Sequence, residues 1–201
     1  MRHVMRVFRF FGSLAAAGVL LGAAGASAVG PQDMKNRPAA PTVFEQARPF
    51  AVQALDGEAA SLEGELARGP LVLVVLRGWP GYQCPFCTRQ FGDFLAHAKE
   101  FEAAGARVLW IYPGPSDQVE LRAKEFTAHR TLPPNFRVAT DPGYVVTNTY
   151  GLRWDAPNET AYPATFVVDR ASIVRFAQVS MRHDGRAQAV DVLSAIRALS
   201  R

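Results

Sequence analysis

Only two cysteines occur in the chain, and they form the motif Cys84-Pro85-Phe86-Cys87. The motif lies between an apolar run and a segment with helical periodicity, so we expect it at the start of a helix. A helix N-terminus offers free backbone N–H groups and the positive end of the macrodipole, which favour a thiolate. We expect Cys84 to precede the first turn and to be the more exposed sulfur, with Cys87 shielded inside that turn. The pattern predicts a redox dithiol in which one cysteine attacks and the other resolves.

Two other uses of the cysteines are weaker. A disulfide closing so small a ring would contribute about 2 kcal/mol, against about 4.7 kcal/mol for a hundred-residue loop. A structural zinc site needs four ligands, whereas His97, His129 and His183 occur singly. No flavin, haem or nucleotide motif is found either, so we predict neither a metal nor a cofactor. The electrons must then come from an external thiol, either a thioredoxin-like protein or a small molecule.

Residues 1–28 have the pattern of a secretory signal peptide. Arg2, Arg6 and Arg9 precede an apolar stretch over residues 10–24, and Ala26-Ser27-Ala28 supplies a cleavage site. A membrane anchor is the alternative, but the apolar stretch is short for a span. We therefore expect a periplasmic or secreted protein, exported through the general secretory route, with no membrane span in the mature form.

Removal of that segment changes the charge balance. The whole chain carries 22 basic and 18 acidic residues, and three arginines leave with the signal. A nearly neutral mature protein gives no electrostatic reason to bind nucleic acid or an anionic surface. Residues 29–48 are rich in proline and alanine without periodicity and predict a flexible linker. Residues 49–201 then predict one domain.

The rest of the chain alternates between strand and helix patterns. Residues 71–76 (LVLVVL) form an unbroken apolar run, typical of a strand buried on both faces. Such alternation, ending in a hairpin and a helix, predicts an α/β fold with a central mixed sheet flanked by helices on both faces. The further predicted strands are 50–55, 107–112, 136–139, 165–168 and 173–178; the helices are 87–105, 116–130 with Ser116 as cap, 144–150 and a terminal one burying Val190, Leu193, Ile196 and Leu199.

The chain resembles a known family from about residue 49 to residue 199. A strand, a Cys-x-x-Cys at a helix start and the later segment 162–169 (YPATFVVD) resemble the thioredoxin-like superfamily. Arg77-Gly78 before the dithiol, and the basic segment 182–186 after the last strand, are similar to the alkyl hydroperoxide reductase/thiol-specific antioxidant (AhpC/TSA) family, the peroxiredoxins and their relatives. The resemblance implies a thioredoxin-like, redoxin domain and thiol peroxidase activity.

The resemblance leaves the attacking cysteine open. Peroxiredoxins carry Pro-x-x-x-Thr-x-x-Cys; in that register Pro80 matches the proline, Cys84 replaces the threonine and Cys87 reacts with peroxide. The thioredoxin register instead makes Cys84 the nucleophile and Cys87 the resolver. Pro163 also stands where a peroxiredoxin usually places its thiolate-stabilising arginine, which departs from the peroxidase pattern.

Other roles follow from the same resemblance. Pro163 is implied to be a cis-proline that faces the dithiol and exposes the Tyr162 backbone to a docking substrate; the alternative is an ordinary strand-entry proline. Arg77 is either a thiolate-stabilising charge or a solvated charge at a strand end. Arg182 and Arg186 are interpreted as surface charges.

These observations predict an exported thiol-dependent oxidoreductase. A peroxiredoxin-like antioxidant acting on peroxides is the first hypothesis. An envelope thiol–disulfide oxidoreductase acting on protein disulfides is the second. A binding module that keeps the fold with an idle dithiol is the third.

Overall fold

A computed structural model describes residues 39–199 of the chain. The predicted signal peptide and the first part of the predicted linker, residues 29–38, lie outside the described residues. The strands are β1 (Ala51–Gln53), β2 (Ala59–Ser61), β3 (Leu71–Val75), β4 (Arg107–Gly114), β5 (Phe136–Pro142), β6 (Ala164–Val168) and β7 (Val174–Val179). The helices are α1 (Leu62–Leu66), α2 (Pro85–Ala96), α3 (Ala98–Ala103), α4 (Val119–Thr127), α5 (Val145–Thr149) and α6 (Ala189–Ala198).

Five strands form a sheet in the order β5-β4-β3-β6-β7, while β1 and β2 pair separately as an antiparallel ribbon. Strand β3 runs parallel to β4, and β4 runs parallel to β5. Strand β6 is antiparallel to β3 and forms a hairpin with β7. The predicted mixed sheet and terminal hairpin are therefore confirmed.

Alternate side chains of β3 serve two hydrophobic cores because both faces of the sheet are covered. Val72 and Val74 pack on one face with residues of α2, α3, α4 and α6. Leu71 and Leu73 pack on the other face with residues of α1 and α5. All five β3 side chains are buried, as their unbroken apolar run predicts.

The linker prediction is wrong for the residues just before the domain. The Phe44 N–H donates to the Val174 carbonyl at 2.8 Å, and the Ala47 N–H donates to the Ser172 carbonyl at 2.8 Å. The chain here forms backbone hydrogen bonds with residues at and beside the β6–β7 turn. Composition alone does not reveal such pairing. The domain therefore begins before residue 49.

Two helix predictions need correction. The predicted helix 87–105 is two helices, because it is interrupted at His97, where φ is −102° and ψ is 15°. Ser116 does not cap α4, which has Gln118 at its N-cap. A hydrogen-bonded turn precedes the helix, because the N–H groups of Gln118 and Val119 both donate to the Pro115 carbonyl.

The predicted buried stripe of α6 is correct at Leu193 and Ile196 but wrong at Val190. Val190 is 52% exposed, whereas Val192 is fully buried beside Leu193 and Ile196. The neighbouring Ala189 is fully buried instead, because one position along a helix rotates the side chain by about 100°, enough to turn it from core to solvent. Among residues 39–199, no helix is both long enough and apolar enough to cross a membrane.

Candidate active site

The loop between β3 and α2 carries the dithiol, and two contacts fix its course. Gly78 has φ +75°, and a Cβ there would collide with the Pro113 carbonyl oxygen, so the close approach to β4 requires glycine. Further along, the Gln83 amide donates to the Arg122 carbonyl at 2.9 Å and accepts from the Tyr112 hydroxyl at 2.8 Å. The loop is thereby fastened to β4 and α4. Pro80 lies half-buried in this loop.

The two cysteines sit at the start of α2, as predicted. Cys84 is the N-cap residue with an extended backbone, and Pro85 follows inside the helix, where its missing N–H costs nothing. Both are free thiols. Each cysteine residue is only 2% exposed, and burial has its larger effect on the Cys87 thiol, the sulfur that we expected to be shielded. Both belong to the hydrophobic core that includes α2 and α6, so the dithiol is enclosed.

The electrostatics of the two thiols differ sharply. A hydrogen bond from the Cys87 thiol is the largest influence on Cys84 and, with the Arg186 charge, lowers its pKa to about 5 despite burial. Burial raises the pKa of Cys87 well above its usual range, and the hydrogen bond to Cys84 raises it further. The two thiols therefore titrate as a pair, and these influences favour ionisation at Cys84 over Cys87.

Arg186 is the cation over this pair. Its Nη2 lies 3.7 Å from Cys84 Sγ and 3.6 Å from Cys87 Sγ, and its Nη1 also lies 3.6 Å from Cys87 Sγ. The interpretation of Arg186 as a surface charge is wrong. The family pattern expects an arginine at Pro163, but the arginine that contacts the sulfurs instead follows β7. The basic segment 182–186 in the sequence points to this region, but its spacing does not show which arginine reaches the sulfurs.

Arg77 is buried, but its guanidinium turns away from the cysteines. Its Nε donates to Glu159 Oε2 at 2.6 Å, its Nη1 to the Tyr82 hydroxyl at 2.5 Å and its Nη2 to the Asn158 carbonyl at 2.7 Å. Neither sequence alternative holds, since the Arg77 guanidinium is neither solvated nor in contact with a sulfur. Only its backbone N–H acts on the dithiol, where it favours the ionised form of Cys87.

Glu159 joins Arg77 to His183, a residue for which the sequence predicts no role beyond its exclusion as a zinc ligand. Glu159 Oε1 lies 2.8 Å from His183 Nε2, on the carboxylate edge opposite Arg77. Burial opposes ionisation of Glu159, but hydrogen bonds from Arg77 and His183 outweigh it and keep its pKa below the usual value. The Trp154 ring packs against the His183 ring at 5.3 Å.

Pro163 and Tyr162 do not provide the docking backbone that the resemblance implies. The described residues contain no cis peptide bond, so the expectation for Pro163 is wrong. The Tyr162 N–H donates to the Leu152 carbonyl at 2.8 Å, and the Pro163 carbonyl accepts from Ser180 at 2.8 Å. These backbone groups are already paired inside the domain. The Tyr162 ring instead stacks on Trp154 at 4.6 Å.

Comparison with known proteins identifies the family. Residues 43–177 match the AhpC/TSA family. The chain belongs to this family. It is 29% identical over 127 residues to a putative chloroplastic peroxiredoxin Q of Oryza sativa subsp. indica, an alignment that covers 63% of this chain and 54% of the relative. The chain thus matches only about half the length of that protein.

Solved structures of peroxiredoxins share the fold of this AhpC/TSA chain. Peroxidoxin BcpB from Mycobacterium tuberculosis superposes with a TM-score of 0.62 at 22% identity, covering 78% of this chain and 97% of that one. AhpC from Mycobacterium tuberculosis gives a TM-score of 0.64 at 19% identity, covering 80% and 94%. The predicted thioredoxin-like α/β fold is therefore confirmed. Within residues 39–199, no group of three or more His, Cys, Asp or Glu side chains is placed to hold a metal ion.

Proposed function

We propose that this AhpC/TSA protein is a thiol-dependent peroxidase in which the Cys84 thiolate attacks the peroxide and Cys87 resolves. The observation that supports this assignment is the Arg186 guanidinium lying over both sulfurs, with Cys84 at the N-cap of α2. These surroundings lower the pKa of Cys84, whereas burial raises the pKa of Cys87. A thiolate is the reactive form of cysteine, and a fixed cation beside it stabilises the negative charge that moves during attack. Of the two registers left open by the motif, this favours the one with Cys84 as nucleophile.

The chemistry runs in two steps that balance. The Cys84 sulfur attacks one peroxide oxygen, the O–O bond breaks, and the departing alkoxide or hydroxide takes a proton and leaves as alcohol or water. Cys84 is then a sulfenic acid. The Cys87 thiol gives up its proton, its sulfur bonds to Cys84, and the sulfenic oxygen leaves as water. An external thiol or dithiol supplies the two electrons that return the disulfide to the starting pair.

Enclosure of the dithiol supports a small oxidant. Each cysteine is only 2% exposed, which suits a small peroxide better than a folded protein disulfide, whose sulfur must meet the attacking sulfur directly. The same low pKa of Cys84 also suits disulfide exchange, and Cys84 replaces the threonine of the peroxidase motif. A thiol–disulfide oxidoreductase is therefore the second candidate, and a non-catalytic binding module is the third.

We also propose that the protein acts after export to the periplasm or exterior, since residues 1–28 have the pattern of a cleaved signal peptide. Protein recovered from the cell envelope should begin after Ala28, as read by intact mass. A full-length chain retained inside the cell would contradict this proposal.

Single-cysteine variants test the reaction. Treat Cys84→Ser and Cys87→Ser with hydrogen peroxide and trap sulfenic acid for mass spectrometry, using Arg182→Ala as a dithiol control with an unrelated surface change. We expect rapid trapping at Cys84 in Cys87→Ser and none in Cys84→Ser, because Cys84 is the thiolate. Trapping at Cys87 alone would support the other register. Slow trapping with stable mixed disulfides at Cys84 would support the oxidoreductase, and neither product would support the binding module.

A further inference from the structure

A continuous set of polar contacts runs from Arg77 to the two sulfurs. Arg77 Nε donates to one oxygen of Glu159, and the other oxygen lies 2.8 Å from His183 Nε2. The His183 carbonyl accepts from Arg186 Nε at 2.9 Å, and the Arg186 Nη atoms reach Cys84 and Cys87. Four charged or polar residues thereby connect the end of β3 with the loop after β7.

We propose that Glu159 and His183 are positioning residues that hold the loop 180–186 so that Arg186 lies against both sulfurs. This inference rests on the proposed function, because it assigns Arg186 to the reacting thiolate. Neither Glu159 nor His183 has a contact with a sulfur among the hydrogen bonds of the described residues, so both act through Arg186.

Arg186 needs such support because its side chain is long and starts from a turn. An arginine side chain loses conformational entropy when it is fixed in one geometry. Arg186 Nε–H donates a hydrogen bond to the His183 carbonyl, which aims the two Nη groups at the sulfurs. The position of that carbonyl depends on where the His183 ring is anchored. Glu159 supplies this anchor, and Trp154 packs against the ring.

The anchor itself is rigid. Glu159 is held by Arg77, which is only 2% exposed and also bonds to Tyr82 and to the Asn158 carbonyl. A buried charge-assisted hydrogen bond is stronger than a neutral one and leaves little freedom to the carboxylate. On its far side, the loop is tied by the Gln178 amide, which donates to the Gly185 carbonyl at 2.8 Å. The Glu159–His183 contact holds the loop at its other end, where Glu159 is bound to Arg77.

The test changes the histidine without emptying its site. His183→Phe keeps a ring against Trp154 but removes the hydrogen bond to Glu159, whereas His183→Gln keeps a donor that can reach the same oxygen. The rate of iodoacetamide alkylation of Cys84, followed across pH by peptide mass spectrometry, reports the thiolate. We expect His183→Phe to raise the Cys84 pKa by about one unit, which reduces alkylation at about pH 5 roughly five-fold, and His183→Gln to preserve most of the wild-type profile.

Arg182→Ala is the matched control, because Arg182 lies in the same loop with its side chain 80% exposed. It should leave the alkylation profile unchanged. Glu159→Gln is a second variant and should shift the profile in the same direction as His183→Phe. If His183→Phe lowers only the melting temperature and leaves the Cys84 profile at the wild-type position, the positioning role is wrong. If wild-type Cys84 itself titrates near its ordinary value, the proposed thiolate chemistry fails instead.

Discussion

Two buried arginines, Arg137 and Arg77, each bind a glutamate, but the two hydrogen-bond networks lead to different groups. Arg137 of β5 donates from Nε and Nη2 to the Asp56 carboxylate at 2.7 and 2.9 Å, and from Nη1 to Glu65 at 2.7 Å. The other oxygen of Glu65 accepts from Arg107 at 3.1 Å. These hydrogen bonds join β4 and β5 to the segment that contains β1, β2 and α1, and they do not lead to the dithiol. Their role is structural.

The Arg77 network begins in the same way but continues to the dithiol. Arg77 binds one oxygen of Glu159, and the other oxygen leads through His183 to Arg186 and the sulfurs. Burial of an arginine beside a glutamate therefore does not identify a functional site. The second oxygen of each glutamate makes the difference. In Glu65 it accepts from Arg107, whereas in Glu159 it contacts His183, whose carbonyl holds Arg186.

Arg137→Met should have the largest effect on folding. It leaves the buried Glu65 with Arg107 as its remaining partner and removes the bidentate bond to Asp56, so we expect a loss of about 3 kcal/mol in the free energy of unfolding. Urea unfolding of the reduced protein measures it, with the exposed Arg68→Met as control. The Cys84 alkylation profile should stay unchanged. A shifted profile would mean that the Arg137 network also affects the dithiol, and the two networks would then not differ in function.

Arg186→Ala should show the opposite behaviour, with a large effect on reactivity and a small one on stability. Removing the cation raises the pKa of Cys84 and withdraws stabilisation of the moving charge, so peroxide-dependent oxidation should slow about 100-fold at neutral pH. Stopped-flow fluorescence after mixing with hydrogen peroxide measures the rate, and Arg182→Ala should react like wild type. An Arg186→Ala rate within two- or three-fold of wild type would remove Arg186 from the proposed mechanism.

The sequence predicts what depends on local pattern. The buried strand β3 follows from five consecutive apolar residues, and the placement of Cys84 and Cys87 at a helix start follows from the change of period after them. The hairpin of β6 and β7 likewise follows from two short apolar runs around a polar turn. These elements need only contacts between residues close in sequence or a generic hydrophobic environment.

Arg186 and Glu159 could not be found in this way. Arg186 is separated from Cys87 by 99 residues and reaches it only because β7 returns the chain beside α2. Glu159 is 82 residues from Arg77, in a loop without periodicity. The family pattern placed the thiolate-stabilising arginine at Pro163, so the resemblance directed attention to a position that has no charge. The exact partners of the dithiol depend on tertiary geometry, which spacing alone does not encode.

Tyr82→Phe should have the smallest effect, and it tests whether the Arg77 network tolerates the loss of one hydrogen bond. It removes the hydroxyl that accepts from Arg77 Nη1 but keeps the ring, whose centroid lies 5.1 Å from the guanidinium carbon. Since Tyr82 is 46% exposed, water can replace the hydroxyl, and we expect a loss of only about 1 kcal/mol in unfolding free energy. The Cys84 profile should be unchanged, because Glu159 still receives the Nε bond of Arg77. A shifted profile would show that the orientation of Arg77 is itself transmitted through Glu159 and His183, and would extend the set of positioning residues to the exposed rim of the site.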